Sequence, residues 1–199
     1  MTQAIDLKLK VARAQLATAL DLFIRDKDPI SVQCLACGGG ELLDAIALMK
    51  GAEPLSNHIL QEHPHLDRGK LRGIRTQYWN AFKHLKGREG LLREDEALIS
   101  NFDDTKNDTA LYVGWDDYLK LSGALPVAAQ VFQAWWCALY EDKLGDAAGV
   151  EAARRRFPEL RSEDRKEQKR RLRRGVEKWR KDASLIGDDR TEKRLHERD

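Results

Sequence analysis

Apolar positions recur along this chain at alternating steps of four and three, the repeat that draws one stripe down an α-helix. Ile5, Leu9, Ala12, Leu16, Ala19 and Phe23 trace such a stripe and predict a helix over about residues 3–25, broken by Asp28 and Pro29. A second helix is predicted over about 30–50, with Pro29 near its first turn and Gly51 past its end. Its centre, Cys34-Leu-Ala-Cys37-Gly-Gly-Gly40, is built of small residues. Each glycine costs about 1 kcal/mol relative to alanine inside a helix, so the pattern predicts close approach of another backbone in compensation.

A loop is expected around Pro54, Pro64 and the three histidines His58, His63 and His65. A third helix follows over about 67–86, with Leu71, Ile74, Tyr78, Phe82 and Leu85 on one face and Gly87 and Gly90 as terminators. Asp103, Asp104 and Asn107 offer caps for a fourth, reaching about 121. A fifth, 126–140, is apolar almost all round through Val131, Phe132, Trp135, Trp136 and Leu139, as the central helix of a bundle would be. No segment alternates with the period of two that marks a strand. The expected fold class is therefore all-α, a helical bundle followed by a basic helical extension.

The extension is where charge changes the picture. The whole chain carries 35 Lys and Arg against 33 Asp and Glu, a net +2 that by itself selects no partner. Residues 154–181, however, hold 14 basic and 5 acidic side chains, and from Arg161 onward the apolar residues thin to a narrow stripe of Leu172, Val176, Trp179 and Leu185. Composition sets the expected boundary near 155: a bundle domain over 1–155 and a basic helical tail over 156–199, its last dozen residues frayed. Arginine-rich helices bind nucleic-acid phosphates by releasing counterions, and a tryptophan among them can stack on an exposed base. Arg165, Lys169, Arg170, Arg171, Arg173, Arg174 and Trp179 are the candidate nucleic-acid contacts. The competing reading is a solvated helix that docks Leu172, Val176 and Trp179 on the bundle.

Other chemistry finds less support. Cys34 and Cys37 form a C-x-x-C pair without the second pair a structural zinc site needs, and the histidines around Pro64 lack a spacing that fixes their directions. No metal or cofactor is expected. Glycine loops for nucleotide phosphates and serine-hydrolase elbows are absent from the sequence. The N-terminus lacks the order of a secretory signal, and three cysteines make no disulfide framework, so a cytoplasmic location is expected. Leu121 to Tyr140 is free of charge, yet Ser122, Pro126, Gln130 and Gln133 interrupt it, and no membrane contact is expected.

The segment Arg75-Thr-Gln-Tyr-Trp-Asn80-Ala-Phe-Lys83-His84 carries the remaining candidate site. Spacing by four sets Asn80 and His84 on one side of the third helix, where a histidine could move protons near neutral pH, with Asn80 fixing its tautomer or contacting a phosphate, and Lys83 would add positive charge. The same spacing also suits two side chains that bond across a helix interface. Arg75, nine residues before His84, falls on the opposite side, whereas Arg88, four residues after it, falls on the same side if the helix continues.

This segment, together with the glycine-rich second helix ending in Glu41-Leu-Leu, resembles the HEPN superfamily of helical bundles found in toxin and antiviral RNases and in non-catalytic binding modules. Trp79 stands where catalytic members of that family carry an arginine. The resemblance implies a homodimer paired across this helix, and RNA as ligand. In its catalytic form it implies metal-independent RNA cleavage, with His84 moving protons and Lys83 or Arg88 stabilising phosphate charge. A toxin-antitoxin or phage-defence setting, with an antitoxin or other protein partner, goes with that form. The alternative is a non-catalytic interaction module whose basic tail holds nucleic acid or a protein.

Overall fold

The computed structural model describes residues 2–87, 89–145 and 147–196. Ten α-helices carry nearly all the regular structure among them, and the all-helical class holds. Contacts divide the chain into two compact units, one of residues 1–23 and 28–121, the other of 24–27 and 122–199. The division falls at 121/122, whereas composition placed a boundary near 155.

In the first unit α1 (Thr2–Ile24) and α2 (Pro29–Lys50) follow the predicted pattern closely. Asp28 caps α2 by accepting the Ser31 N–H at 2.9 Å, and Gly51 ends it in the left-handed region at φ 69°. The expected backbone approach is present at one of the three glycines. A Cβ on Gly39 would lie 3.0 Å from the Ala12 carbonyl oxygen and 3.0 Å from Leu16 Cγ, so α1 and α2 touch here because no side chain intervenes. Leu16 is also what a Cβ on Gly114 of α6 (Lys106–Ser122) would strike, at 2.7 Å. Ala12, Leu16, Leu20, Val32, Ala36, Leu43, Leu111 and Trp115 form the fully buried core around that leucine.

Between these elements the structure departs from the sequence pattern. Residues expected as loop form α3 (Leu55–Glu62), and a short α5 (Glu96–Ser100) precedes α6. The helix α4 (Arg68–Lys83) stops three residues early, because His84 turns to extended geometry and the chain enters a small antiparallel ribbon in which Lys86 pairs with Leu92. Leu85, expected on the apolar face of the helix, is consequently outside it and exposed. Asp103 accepts the Thr105 N–H at 2.8 Å just before α6, as a capping residue should. Asn107 does not cap the helix from solvent; it is buried, its amide donating to the Pro29 carbonyl at 3.1 Å.

In the second unit the apolar α7 (Val127–Leu139) is central, packed by α8 (Ala147–Arg156) and α9 (Arg165–Trp179). Trp135, fully buried, donates its indole N–H to the Gln168 carbonyl at 2.9 Å, which fastens α7 to the backbone of α9. Leu172 is fully buried, and a Cβ on Gly175 would sit 3.1 Å from Val131 and 3.2 Å from Phe157. The basic helix is thus an integral wall of this unit. After α10 (Ala183–Ile186), Thr191–Glu192 (β2) pairs in parallel with Leu125–Pro126 (β1), and Gln130 donates to both the Leu125 carbonyl and Thr191 Oγ1. Residues 191 and 192, expected to fray, are held by these bonds; 197–199 lie outside the described residues.

Among the described residues only α2 has the length and apolar character of a membrane span, and half of its most apolar window is buried. The uncharged stretch at 121–140 yields a 13-residue helix, too short to cross a bilayer.

Candidate nucleic-acid interface and the His84 segment

The end of α4 separates what the spacing of four had joined. The His84 N–H still donates to the Asn80 carbonyl at 3.1 Å, but the imidazole belongs to an extended residue past the helix and is exposed. Asn80 turns its amide back along the helix and donates to Thr76 Oγ1 at 3.0 Å. Lys83 lays its ammonium 3.2 Å from the centre of the Trp79 ring, a cation–π contact one turn along the same helix. Trp79 therefore sequesters the cation one turn beyond it. Arg88 lies outside the described residues. Of the three described candidates, only His84 presents an exposed side chain engaged with no neighbour.

The α9 candidates divide by their angle around the helix. Asp164 starts α9 by accepting the Glu167 N–H at 2.8 Å, and the buried side is fixed by Leu172 and Gly175. Lys169 falls on that side. Its side chain is 2% exposed and its ammonium donates to Asp26 Oδ1 at 2.9 Å, where the turn after α1 has Asp26 in the left-handed region. The lysine holds that carboxyl below its usual range. As a phosphate contact Lys169 is therefore corrected to a structural residue. Arg165 packs 5.4 Å from the centre of the Trp135 ring. Arg171 is taken by the Pro158 carbonyl at 2.7 Å and by Glu163 and Glu167, and Trp179 is half-buried with the Arg156 guanidinium 4.5 Å from its ring centre. A base approaching that covered face would have to displace Arg156.

At about 100° per residue, Lys166, Arg170, Arg173 and Arg174 share an arc of about 100° on the side away from Leu172. All four are exposed. Arg170 pairs with Glu167, and Arg173 donates its Nε to the Ile24 carbonyl at 3.2 Å. Among the described residues, Lys166 and Arg174 meet no carboxylate, whereas Arg173 lies close enough to Asp26 to help lower its carboxyl.

Sequence reasoning missed a polar cluster in the first unit. Arg75 pairs with Asp44 at 3.3 Å, Arg68 reaches the other Asp44 oxygen at 3.7 Å, and Arg72 binds Glu41 at 2.6 Å. These pairs tie α4 to α2. Asp117 of α6 is completely buried, and burial raises its carboxyl to about 6 although the Leu55 N–H and Arg75 pull the other way. Cys37, also buried, has its thiol pushed up to about 12 by that burial, away from the reactive thiolate form. Among the described residues no group of His, Cys, Asp and Glu is arranged to hold a metal. An open cleft of about 430 Å³ in the second unit is lined by Glu141, Asp142, Val150 and Arg154, but Glu141 is already bound by Arg154 at 2.5 Å and Arg161 at 2.7 Å. That carboxylate, held down at about 2 by the two guanidiniums, has little left to offer a ligand.

Set against family models, curated proteins and solved structures, the chain matches none.

Proposed function

We propose that the protein binds single-stranded RNA through the outward face of α9. The observation that carries this reading is the row of Lys166, Arg170, Arg173 and Arg174 on one exposed arc, with Lys166 and Arg174 meeting no carboxylate among the described residues. Such cations gain affinity by displacing counterions from phosphates. The resemblance to HEPN bundles supports RNA as the polymer.

Fluorescence anisotropy with a labelled 20-mer RNA at a series of salt concentrations tests it. Three to four contacts predict a slope of log affinity against log salt of about −2 to −3. The variant Lys166→Gln/Arg170→Gln/Arg173→Gln/Arg174→Gln should lose most of that slope while keeping its circular dichroism. Truncation is the wrong tool, because removing α9 would uncover α7. A variant that binds like the native chain overturns the reading.

One observation favours a second reading, endoribonuclease activity: the exposed His84 imidazole at the end of α4. In that reading a second protomer supplies the phosphate-binding cation that Trp79 withholds.

A further inference from the structure

The two long helices of the first unit are apolar on both sides. Their inner sides build the core around Leu16, yet each carries a second apolar stripe, at steps of three and four, that faces solvent. On α1 it is Ala4, Leu7, Val11, Ala14 and Thr18, with Leu7 62% and Val11 40% exposed and the Thr18 hydroxyl already donating to the Ala14 carbonyl at 3.0 Å. On α2 it is Leu35, Gly38, Leu42, Ala45 and Met49, half-buried at its start and exposed at its end, where Met49 is 63% exposed. A helix that is apolar all round is ordinarily covered all round.

The two stripes form one surface. Gln15 stands against Gly38 and Ala12 against Gly39, so in this antiparallel pair Val11 is level with Leu42 and Ala4 with Met49. At about 100° per residue both stripes turn to the same side, away from the buried Leu16 and Leu43. The helices are 23 and 22 residues long. Side by side they offer a face about 33 Å by 20 Å, about 650 Å², against the roughly 600–1,000 Å² that each partner gives to a stable interface.

Charge and shape decide the occupant. Neither stripe holds a charged residue, and Lys8, Lys10, Asp21 and Glu41 border them with two charges of each sign. A phosphate polymer or an anionic surface finds no cationic field here. A second copy finds a self-complementary one: a two-fold axis along the helices sets α1 over the partner's α2 at matching levels, so that Ala4 meets the partner's Met49, Leu7 the partner's Ala45 and Ala14 the partner's Gly38. Large side chains then face small ones, and the backbones come closest where both residues are smallest. Gly38 thereby gains a reason that its own chain does not provide, since a Cβ there would touch only the Gln15 side chain, at 3.4 Å.

We propose that two copies of this chain pair through the α1–α2 face as a four-helix layer. The surface is a different one from the α4 segment across which the HEPN resemblance implies pairing.

Sedimentation equilibrium over about 1–100 μM tests the proposal, with a dimer of about 45 kDa expected from the 22.7 kDa chain. Leu7→Gln/Val11→Gln/Met49→Gln should weaken association at least tenfold with unchanged circular dichroism, because the three side chains are exposed. Gly38→Ala, which leaves the protomer's own packing intact, should weaken it too. The control Leu85→Asn/Leu91→Asn/Leu92→Asn, on the exposed ribbon after α4, should associate as the native chain does. A native chain that stays monomeric at the top of that range overturns the proposal. So does a dimer that the variants of the α1–α2 face leave intact, or one that the ribbon variant abolishes.

Discussion

Asp117 accepts the Leu55 backbone N–H through Oδ1 at 2.7 Å, so a buried carboxylate of α6 caps the first turn of α3. Pro54, the residue that precedes this helix, has no side-chain group that could do so. The other carboxylate oxygen, Oδ2, finds no hydrogen-bond partner.

That arrangement gives a pH dependence of definite sign. The folded carboxyl holds its proton up to about pH 6, above the value of 3.8 for an ordinary aspartate, with Arg75, Asp116 and Lys120 as the charged groups around it. Between those values the folded state binds more protons than the unfolded one, so this group's contribution is present below about pH 4 and lost as pH rises through 6. The loss amounts to about 2–3 kcal/mol. Asp117→Asn keeps the acceptor and removes the charge, so relative to the native chain it should gain stability at pH 7.5 and little at pH 4. Asp117→Ala should speed hydrogen exchange at the Leu55 amide. An Asn variant with the same difference at both pH values would contradict this account.

The glycines of α2 should behave unequally on substitution by alanine. Gly38→Ala meets only the flexible Gln15 side chain, at 3.4 Å, and should be neutral or stabilising by up to about 1 kcal/mol. Gly39→Ala meets the α1 backbone and Leu16, and should cost about 1–3 kcal/mol. Urea unfolding of the two variants measures the contrast, and equal effects would mean that α1 and α2 are less tightly apposed.

Lys169 separates structural from functional charge. Lys169→Met should leave the salt dependence of RNA binding unaltered, since the native ammonium is buried against Asp26. Lys169→Glu, which sets a second carboxylate beside Asp26, should destabilise the second unit by about 3 kcal/mol or more. Anisotropy and thermal melts on the same samples give both readings.

For the enzymatic reading, incubation with mixed RNA in EDTA is the direct measurement. Cleavage that survives EDTA and disappears in His84→Ala would establish it. Asn80→Ala should then matter little, because the Asn80 amide is bonded to Thr76 and not to the imidazole. Intact RNA after prolonged incubation leaves binding alone.

The helices α1, α2 and α7 were legible because their signals are local: a regular apolar stripe, Asp28 and Gly51 at the ends of α2, a run of apolar residues in α7. The helix α3 was not, since its cap comes from Asp117, which no local window contains. The early end of α4 was hidden for a related reason. Residues 80–86 continue the apolar spacing, and it is the cross-ribbon bonds from Leu91 and Arg93 that draw Leu85 and Gly87 away from it. The count of basic residues in α9 was correct as composition and uninformative about assignment. Lys169 and Arg174 look alike in sequence, and only their angles relative to Leu172 send one into the core and the other to the surface.

The bond from Lys169 to Asp26 and the pairing of Leu125 with Thr191 have a consequence for the order in which the chain is made. Domains fold as they are synthesised, N-terminal segments first. The turn at 24–27 emerges early, but the lysine that satisfies it is made more than a hundred residues later, and β1 must wait for residue 191. During that interval α7 has neither α8 nor α9 to cover Trp135 and Phe132. The second unit is therefore the late and aggregation-exposed product of translation, and a nascent chain paused shortly after α7 is where a chaperone should find the most to hold.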